Sequence, residues 1–224
     1  MRIISLLASP HGEEGNTAAL LDLVVEGARN EGAEAETIIL PGGTVGPCKA
    51  CDVCHKQGAC PHKDDFESIK GKVYEADGIL LASPNYIFNV SAQMKAFMDR
   101  CAGVIHCMSF GGRYGASVVT SGGGGEEPIC EYMNRFLTIT GITPVGSVWA
   151  TMGAIQDGSF PEEIQDQARG LGKKLVESCE SKAAFPEIKK AQDEFKERMR
   201  MLIMYRKEEW PYEYEYWQKH YGME

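Results

Sequence analysis

Four cysteines crowd into one short stretch: Cys48, Cys51, Cys54 and Cys60, spaced C-x2-C-x2-C-x5-C and followed by Pro61. Three thiolates at successive x2 spacings can converge on one small inorganic core, and the fourth closes the cage. Four thiolates are the ligand set of a [4Fe–4S] cluster. Two-cluster ferredoxins begin with a comparable run, but there the last cysteine serves the other cluster. This chain has no second run, so these four would close one cluster by themselves, and a chain that holds one moves single electrons. Other uses of the thiols stay open. A structural zinc site usually takes its thiolates as two separated pairs, although His55 and His62 could stand in as zinc ligands. A disulfide framework needs an oxidising compartment, and the thiols could also be unmetallated. Cys101, Cys107, Cys130 and Cys179 are scattered singly and read as small buried apolar residues.

Three further stretches could hold a ligand. Ser9-Pro10-His11-Gly12-Glu13-Glu14-Gly15-Asn16-Thr17 follows a short apolar run and leads into a helical pattern. Ser9 and Thr17 carry hydroxyl donors, while Gly12, Gly15 and Asn16 let backbone N–H groups turn inward. A helix N-terminus favours an anion. No Gly-Lys-Ser/Thr follows, so this is not a triphosphate-hydrolysing loop, and it is not G-x-G-x-x-G either. Neutral donors suit a monophosphate; a plain strand-to-helix turn capped by Asn16 or Thr17 is the simpler alternative. Ser83-Pro84-Asn85-Tyr86-Ile87-Phe88-Asn89-Val90-Ser91 sets aromatic surface beside amide donors, as a heterocycle requires. Ser121-Gly122-Gly123-Gly124-Gly125-Glu126 spends backbone entropy where a chain must approach a ligand closely. A phosphate cradle, an aromatic wall and a glycine shelf on one edge describe a pocket for flavin mononucleotide (FMN).

These loops must be positioned by strands and helices. Ile3 to Ala8, Glu36 to Leu40, Gly78 to Ser83, Gly115 to Ser121 and Val145 to Ala150 read as five strands. Helical patterns begin near Thr17, after Asp64 or Asp65, at Ala92 (running to about Val104), at Glu127 and at Pro161. Met94, Phe97, Met98 and Cys101 share the inward face of the third of these. Alternating strands and helices predict an α/β fold with a parallel sheet covered on both faces. In such a sheet, ligands bind beyond the carboxyl ends of the strands. That places the loops after the first four strands, the cysteine loop included, on one edge. The expected organisation is one flavin-binding domain over residues 1–182, with the cysteine loop at 41–63, and an appendage over 183–224. In the appendage Ile188, Phe195 and Leu202 recur every seven residues with Ala191 and Met199 between them, as a packing seam. The tail from Trp210 to Trp217 alternates aromatic residues with Pro or Glu, which predicts an extended arm serving oligomer contact.

The composition is that of an ordinary globule. A net charge of −9 argues against a nucleic-acid partner and is compatible with a redox partner that has a basic docking face. The N-terminal apolar run is too short for a signal peptide, and no stretch is apolar enough to span a bilayer. A cytoplasmic protein with reduced thiols and no membrane contact is expected.

The stretches S-P-H-G-E-E-G-N-T, S-P-N-Y-I-F-N-V-S-A-Q-M-K-A-F-M-D-R and T-S-G-G-G-G-E-E together resemble the flavodoxin-like NAD(P)H-dependent FMN reductases. The compact cysteine run is similar to that of their iron–sulfur flavoprotein branch. The resemblance covers roughly the first 150 residues. It implies a flavodoxin-like five-stranded sheet of order 2-1-3-4-5, usually in dimers or dimers of dimers. It implies FMN phosphate at Ser9, His11, Asn16 and Thr17, and isoalloxazine contacts from Pro84, Asn85, Tyr86, Ile87, Phe88, Ser121, Gly122, Gly123 and Gly124. The candidate flavin set also takes in Gly12, Gly15, Ala18 and Asn89.

The expected activity is electron transfer between a [4Fe–4S] cluster on Cys48, Cys51, Cys54 and Cys60 and FMN, with NAD(P)H or a ferredoxin-like protein as donor. No protein acid, base or nucleophile is assigned. Two alternatives are a cluster-free NAD(P)H-dependent FMN or quinone reductase and a non-catalytic flavodoxin-like carrier.

Overall fold

A computed structural model describes residues 1–155 and 159–223. Five parallel strands form one sheet: β1 (Arg2–Leu7), β2 (Glu34–Ile39), β3 (Gly78–Pro84), β4 (Tyr114–Ser121) and β5 (Thr143–Thr151). Their order is β2-β1-β3-β4-β5, as the resemblance implied. The switch point lies between β1 and β3, whose neighbours were reached by connections running in opposite directions.

The strands are apolar on both faces because both faces are covered. In β1, Ile4 and Leu6 enter one core, while Ile3 and Leu7 enter the other. The first core is closed by α3 (Phe66–Tyr74), α4 (Ala92–Arg100), α5 (Ala102–Cys107) and α6 (Glu126–Thr140). The second is closed by α1 (Asn16–Asn30) and α7 (Glu162–Ser181). Between β2 and α3 lies the cysteine loop with its single helical turn and a half, α2 (Val53–Gln57). The helix expected from 92 to 104 is two pieces, broken at Cys101. Met94, Phe97, Met98 and Cys101 are buried as expected.

The chain ends in α8 (Pro186–Arg206) and α9 (Pro211–Tyr221). The tail is therefore not an extended arm. Pro211 stands at the first position of α9, where its missing N–H costs nothing. Glu213 and Trp217, four residues apart, bury the same helical face. On α8, Met199 and Ile203 are buried, with Phe195 and Leu202 packed beside them, whereas Ala191 is exposed and outside the seam. This seam packs with Trp210, Trp217 and Cys107 into a third, smaller core on the chain's own body. Among the described residues, no helix is long and apolar enough to cross a membrane.

Candidate functional site

The carboxyl ends of β1, β3, β4 and β5 converge on one pocket of about 170 Å³, lined by Ser9, His11, Gly15, Asn16, Thr17, Pro84, Asn85, Tyr86, Ser121 and Gly122. Thr120 and Met152 line it too, and sequence reasoning missed both. At the phosphate end, the first helical acceptor of α1 is the Gly15 carbonyl, bonded by Ala19 N–H at 3.1 Å. The N–H groups of Asn16, Thr17 and Ala18 are thus free to point at an anion. Gly15 is required by close approach, because a Cβ there would sit 2.9 Å from His11 Cβ and 3.2 Å from Ser9 Oγ. No side chain caps α1. Thr17 instead shares a 2.7 Å hydrogen bond with Thr120 Oγ1, tying the start of α1 to β4.

The loop after β3 is locked from below. Ser91 Oγ donates to the Ala8 carbonyl at 2.7 Å, and Ser91 N–H donates to Ser83 Oγ at 2.9 Å. Above that lock, Tyr86 and Asn89 exchange both backbone hydrogen bonds (2.9 and 3.2 Å). The tight turn between them puts Ile87 and Phe88 at φ of 51° and 59°. Left-handed backbone costs of order 1 kcal/mol or more per non-glycine residue. Ile87 and Phe88 are nonetheless 93% and 82% exposed, so this strain is not repaid by burial within the chain.

The glycine shelf is held by its neighbours. Gly124 N–H donates to Ser121 Oγ at 2.8 Å, and Asn85 Nδ2 donates to the Gly124 carbonyl at 2.9 Å. Glu126, buried at the N-terminus of α6, accepts from Ser121 Oγ and, at 2.6 Å, from Thr151 Oγ1. Burial pushes its carboxyl up, but those two hydroxyl bonds prevail and hold it below the usual range. Asn85 Oδ1 is buried with no partner among the described residues. An orphan acceptor beside an aromatic ring and a glycine shelf fits a ring N–H such as a flavin carries.

Not every expected residue lines this pocket. Gly12, Ala18, Ile87, Phe88, Asn89, Gly123 and Gly124 do not. The Ala18 side chain is in the second core, leaving only its N–H for a ligand. Ile87 and Phe88 turn to solvent, and Asn89 Oδ1 accepts from Val90 N–H, closing its own turn. Gly12 is the left-handed start of a short 3-10 turn at φ 55°. Gly124 is held at the rim by Asn85, and Gly123 stands in open space.

The second site is the cysteine loop. Cys48, Cys51, Cys54 and Cys60 all line one cavity of about 160 Å³, together with His55, His62, Arg100 and Ala102. All four are free thiols. Between Cys48 and Cys60 the loop curls through three left-handed residues, Ala50, Asp52 and Gly58, at φ of 49°, 59° and 78°. Those reversals turn the thiols inward, and Ala50 N–H donates to Cys48 Sγ at 3.4 Å. Cys60 N–H donates to Glu67 Oε1 at 2.8 Å, anchoring the end of the loop to α3. Arg100 is the residue sequence reasoning missed here. Its side chain is 1% exposed and pairs bidentately with Asp64, yet its Nε is buried with no partner among the described residues. A buried cation with a spare N–H, beside four thiols, is what an anionic sulfur-ligated centre would use. The residues present therefore fit a [4Fe–4S] group. The two cavities share no lining residue.

His55, between Cys54 and the core of α2, does not offer its Nδ1 to this cavity. That nitrogen donates to Glu213 Oε1 at 2.5 Å. Burial pushes the imidazole down, but hydrogen bonds with Cys54 and Glu213 outweigh it and raise the pKa to about 10. Cys101 and Cys107 are buried thiols pushed well up by desolvation, as inert core cysteines are.

Residues 1–157 match the NADPH-dependent FMN reductase family. An iron-sulfur flavoprotein of Archaeoglobus fulgidus is 37% identical over 187 residues, spanning 81% of this chain and 82% of that protein. An iron-sulfur flavoprotein of Methanocaldococcus jannaschii is 34% identical, spanning 79% of this chain and 96% of its own. Among solved structures, the WrbA-like flavodoxin of Agrobacterium tumefaciens superposes with a TM-score of 0.57 over 80% of this chain and 98% of its own, at 15% identity, a likeness of fold.

Proposed function

Because this chain belongs to the NADPH-dependent FMN reductase family and is a flavin-dependent oxidoreductase, we propose that it passes electrons between a [4Fe–4S] cluster and FMN. The cluster would be held by Cys48, Cys51, Cys54 and Cys60. The observation that carries this reading is the set of four free thiols around one cavity, with the unpartnered Arg100 Nε beside them. When bound, the cluster supplies one-electron steps and the flavin supplies one- or two-electron steps.

The chain's own part is to bind and orient. The N–H groups of Asn16, Thr17 and Ala18, with Ser9 and Thr17 hydroxyls, hold the FMN phosphate. Asn85 Oδ1 accepts from the flavin ring, Tyr86 flanks it, and Glu126 fixes the shelf of Ser121 to Gly124 through Ser121 Oγ. The exposed turn at Ile87 and Phe88 lies against the ring or a partner subunit, which would repay its strain. Arg100 donates toward the cluster and offsets its negative charge. No catalytic acid, base or nucleophile is assigned. The donor is NAD(P)H or a small redox protein such as a ferredoxin, docked by a basic face against this acidic chain. The working form is a homodimer or homotetramer in the cytoplasm.

The test is an anaerobic absorption spectrum of purified protein, with iron and acid-labile sulfide assayed on the same sample. About four iron and four sulfide per FMN, with a broad shoulder near ~400 nm over the flavin bands, support the proposal. A clean flavin spectrum without iron, bleached by NADPH, overturns it in favour of a cluster-free NAD(P)H-dependent reductase. Absence of turnover with any small acceptor, together with tight docking to a redox protein, would indicate a carrier.

A further inference from the structure

We propose that Glu213 is a positioning residue for the cysteine cage, and that α9 is built into the cluster site as the wall that holds α2 in place. This rests on the cluster reading above and extends it to the far end of the chain.

The argument starts from α2. Its five residues carry Cys54 and His55, and a helix so short cannot stabilise itself. Its position must come from what packs on it, and that is α9. Tyr212 lies against Gly58, the left-handed residue closing α2, where any Cβ would strike the tyrosine ring. Trp210 covers the His55 and His106 rings at centroid distances of 4.6 and 5.0 Å. Beneath them Glu213 is fully buried, 0% exposed. Its Oε1 accepts from His55 Nδ1 at 2.5 Å and its Oε2 from His106 Nδ1 at 3.0 Å.

Burying a carboxylate costs several kcal/mol unless its oxygens are well paired. Here both oxygens are spent on joining two elements of the cage. His55 is the neighbour of Cys54 in sequence, and His106 stands on α5, whose Ala102 lines the same cavity. Gly103, also on α5, lies next to both: a Cβ there would be in ordinary contact with Glu213 Oε1 at 3.6 Å and with Cys54 Cβ at 3.7 Å. One carboxylate thus fixes the spacing of α2, α5 and α9 around Cys54. The two imidazoles are stacked, 4.7 Å apart and 18° from parallel. Ligand-capable atoms of His55, His106 and Glu213 lie within 4.8 Å of one another, but each Nδ1 is already bonded to its own oxygen of Glu213, and that pairing is the brace proposed here.

The test compares the wild-type chain with Glu213→Gln, Glu213→Ala and His106→Gln. Each is purified anaerobically and assayed for iron, FMN and amide hydrogen exchange over residues 53–58, with and without removal of iron. Glu213→Gln should keep FMN and the far-ultraviolet spectrum. Exchange in 53–58 should rise about tenfold or more, and iron per FMN should fall to about half or less. Glu213→Ala should go further, and His106→Gln should move both readouts less, in the same direction. Unchanged exchange and iron in Glu213→Gln and His106→Gln overturns the proposal, as does stoichiometric zinc lost on substitution of Glu213. If the wild type holds no iron, the cluster reading falls while exchange in the iron-free chain still decides the brace. If Glu213→Gln fails to fold, His106→Gln decides, because it leaves the His55 pair intact.

Discussion

Arg100 and Asp64 meet in a bidentate ion pair, Nη1 to Oδ2 at 2.7 Å and Nη2 to Oδ1 at 3.1 Å. Asp64, which precedes the N-cap residue Asp65 of α3, also accepts from Phe66 N–H at 3.2 Å and from Gly46 N–H at 3.0 Å. Arg100 returns a bond to the Gly46 carbonyl and stacks over the Phe66 ring at 4.7 Å. The start of the cysteine loop, the start of α3 and the end of α4 are therefore joined at one salt bridge.

That pair makes acid stability predictable. The Arg100 guanidinium is the main cause of a depressed Asp64 pKa, about 2 against an ordinary 3.8. A carboxylate depressed on folding stabilises the native state above its unfolded pKa, and that contribution is lost as pH falls through the folded value. The window is thus about pH 4 down to 2. Asp64→Asn should cost roughly 2 kcal/mol at pH 7 and flatten the stability profile across that window. Urea midpoints taken from pH 6 to pH 2 would check this; parallel profiles for the two proteins would refute it.

Replacing Cys51 with Ala should remove the iron and leave FMN bound, because no residue lines both cavities. Arg100→Gln should weaken iron retention about 10- to 100-fold while FMN stays. Iron and flavin assays on the same preparations check both. Loss of FMN together with iron in folded Cys51→Ala protein would mean that the sites depend on each other.

The strands and the loops facing the sheet's carboxyl edge were legible from apolar runs and glycine-rich turns, because a doubly covered parallel sheet writes them into local sequence; the strand order was implied only by the family resemblance. The tail was not. Tyr212 to Tyr216 alternates aromatic and acidic residues at a period of two, yet the residues that decide its structure, Glu213 and Trp217, are spaced for a helix. The partners of Glu213 could not be read either, since His55 lies 158 residues earlier. Thr120 and Met152 escaped notice for a related reason: they stand at strand ends beside the glycine shelf and carry no motif of their own. Arg100, at the end of α4, carries no motif of its own, and only folding shows it buried.

Two glycines on α7 should respond in opposite directions. Gly172 faces α1, and a Cβ there would overlap the Val24 carbonyl oxygen, so α1 and α7 touch through their backbones. Gly170, two residues earlier and so on the opposite side of the helix, has open space around it. Gly172→Ala must force the helices apart and should destabilise by about 3 kcal/mol or more. Gly170→Ala should stabilise by roughly 0.5–1 kcal/mol through the lost freedom of the unfolded chain. Thermal midpoints of the two variants decide it, and a tolerated Gly172→Ala would mean that the helices can repack.

Asn85 separates flavin binding from loop architecture. Its Nδ2 donates to the Gly124 carbonyl at 2.9 Å, while its Oδ1 is buried and unpartnered among the described residues. Asn85→Asp keeps an acceptor on the Oδ1 side but loses the donor to Gly124, and it adds a negative charge. Asn85→Leu removes both. If Oδ1 accepts from the flavin, Asn85→Leu should weaken FMN binding by about 1–3 kcal/mol, roughly 5- to 150-fold in Kd. The charge in Asn85→Asp should in addition lower the flavin's reduction potential, because an electron arriving beside an anion is disfavoured. Fluorescence titration of the stripped protein with FMN, and a redox titration of the reloaded one, read the two effects separately. Unchanged affinity in Asn85→Leu would move the flavin ring away from Asn85 and leave that residue as a strut for the glycine shelf.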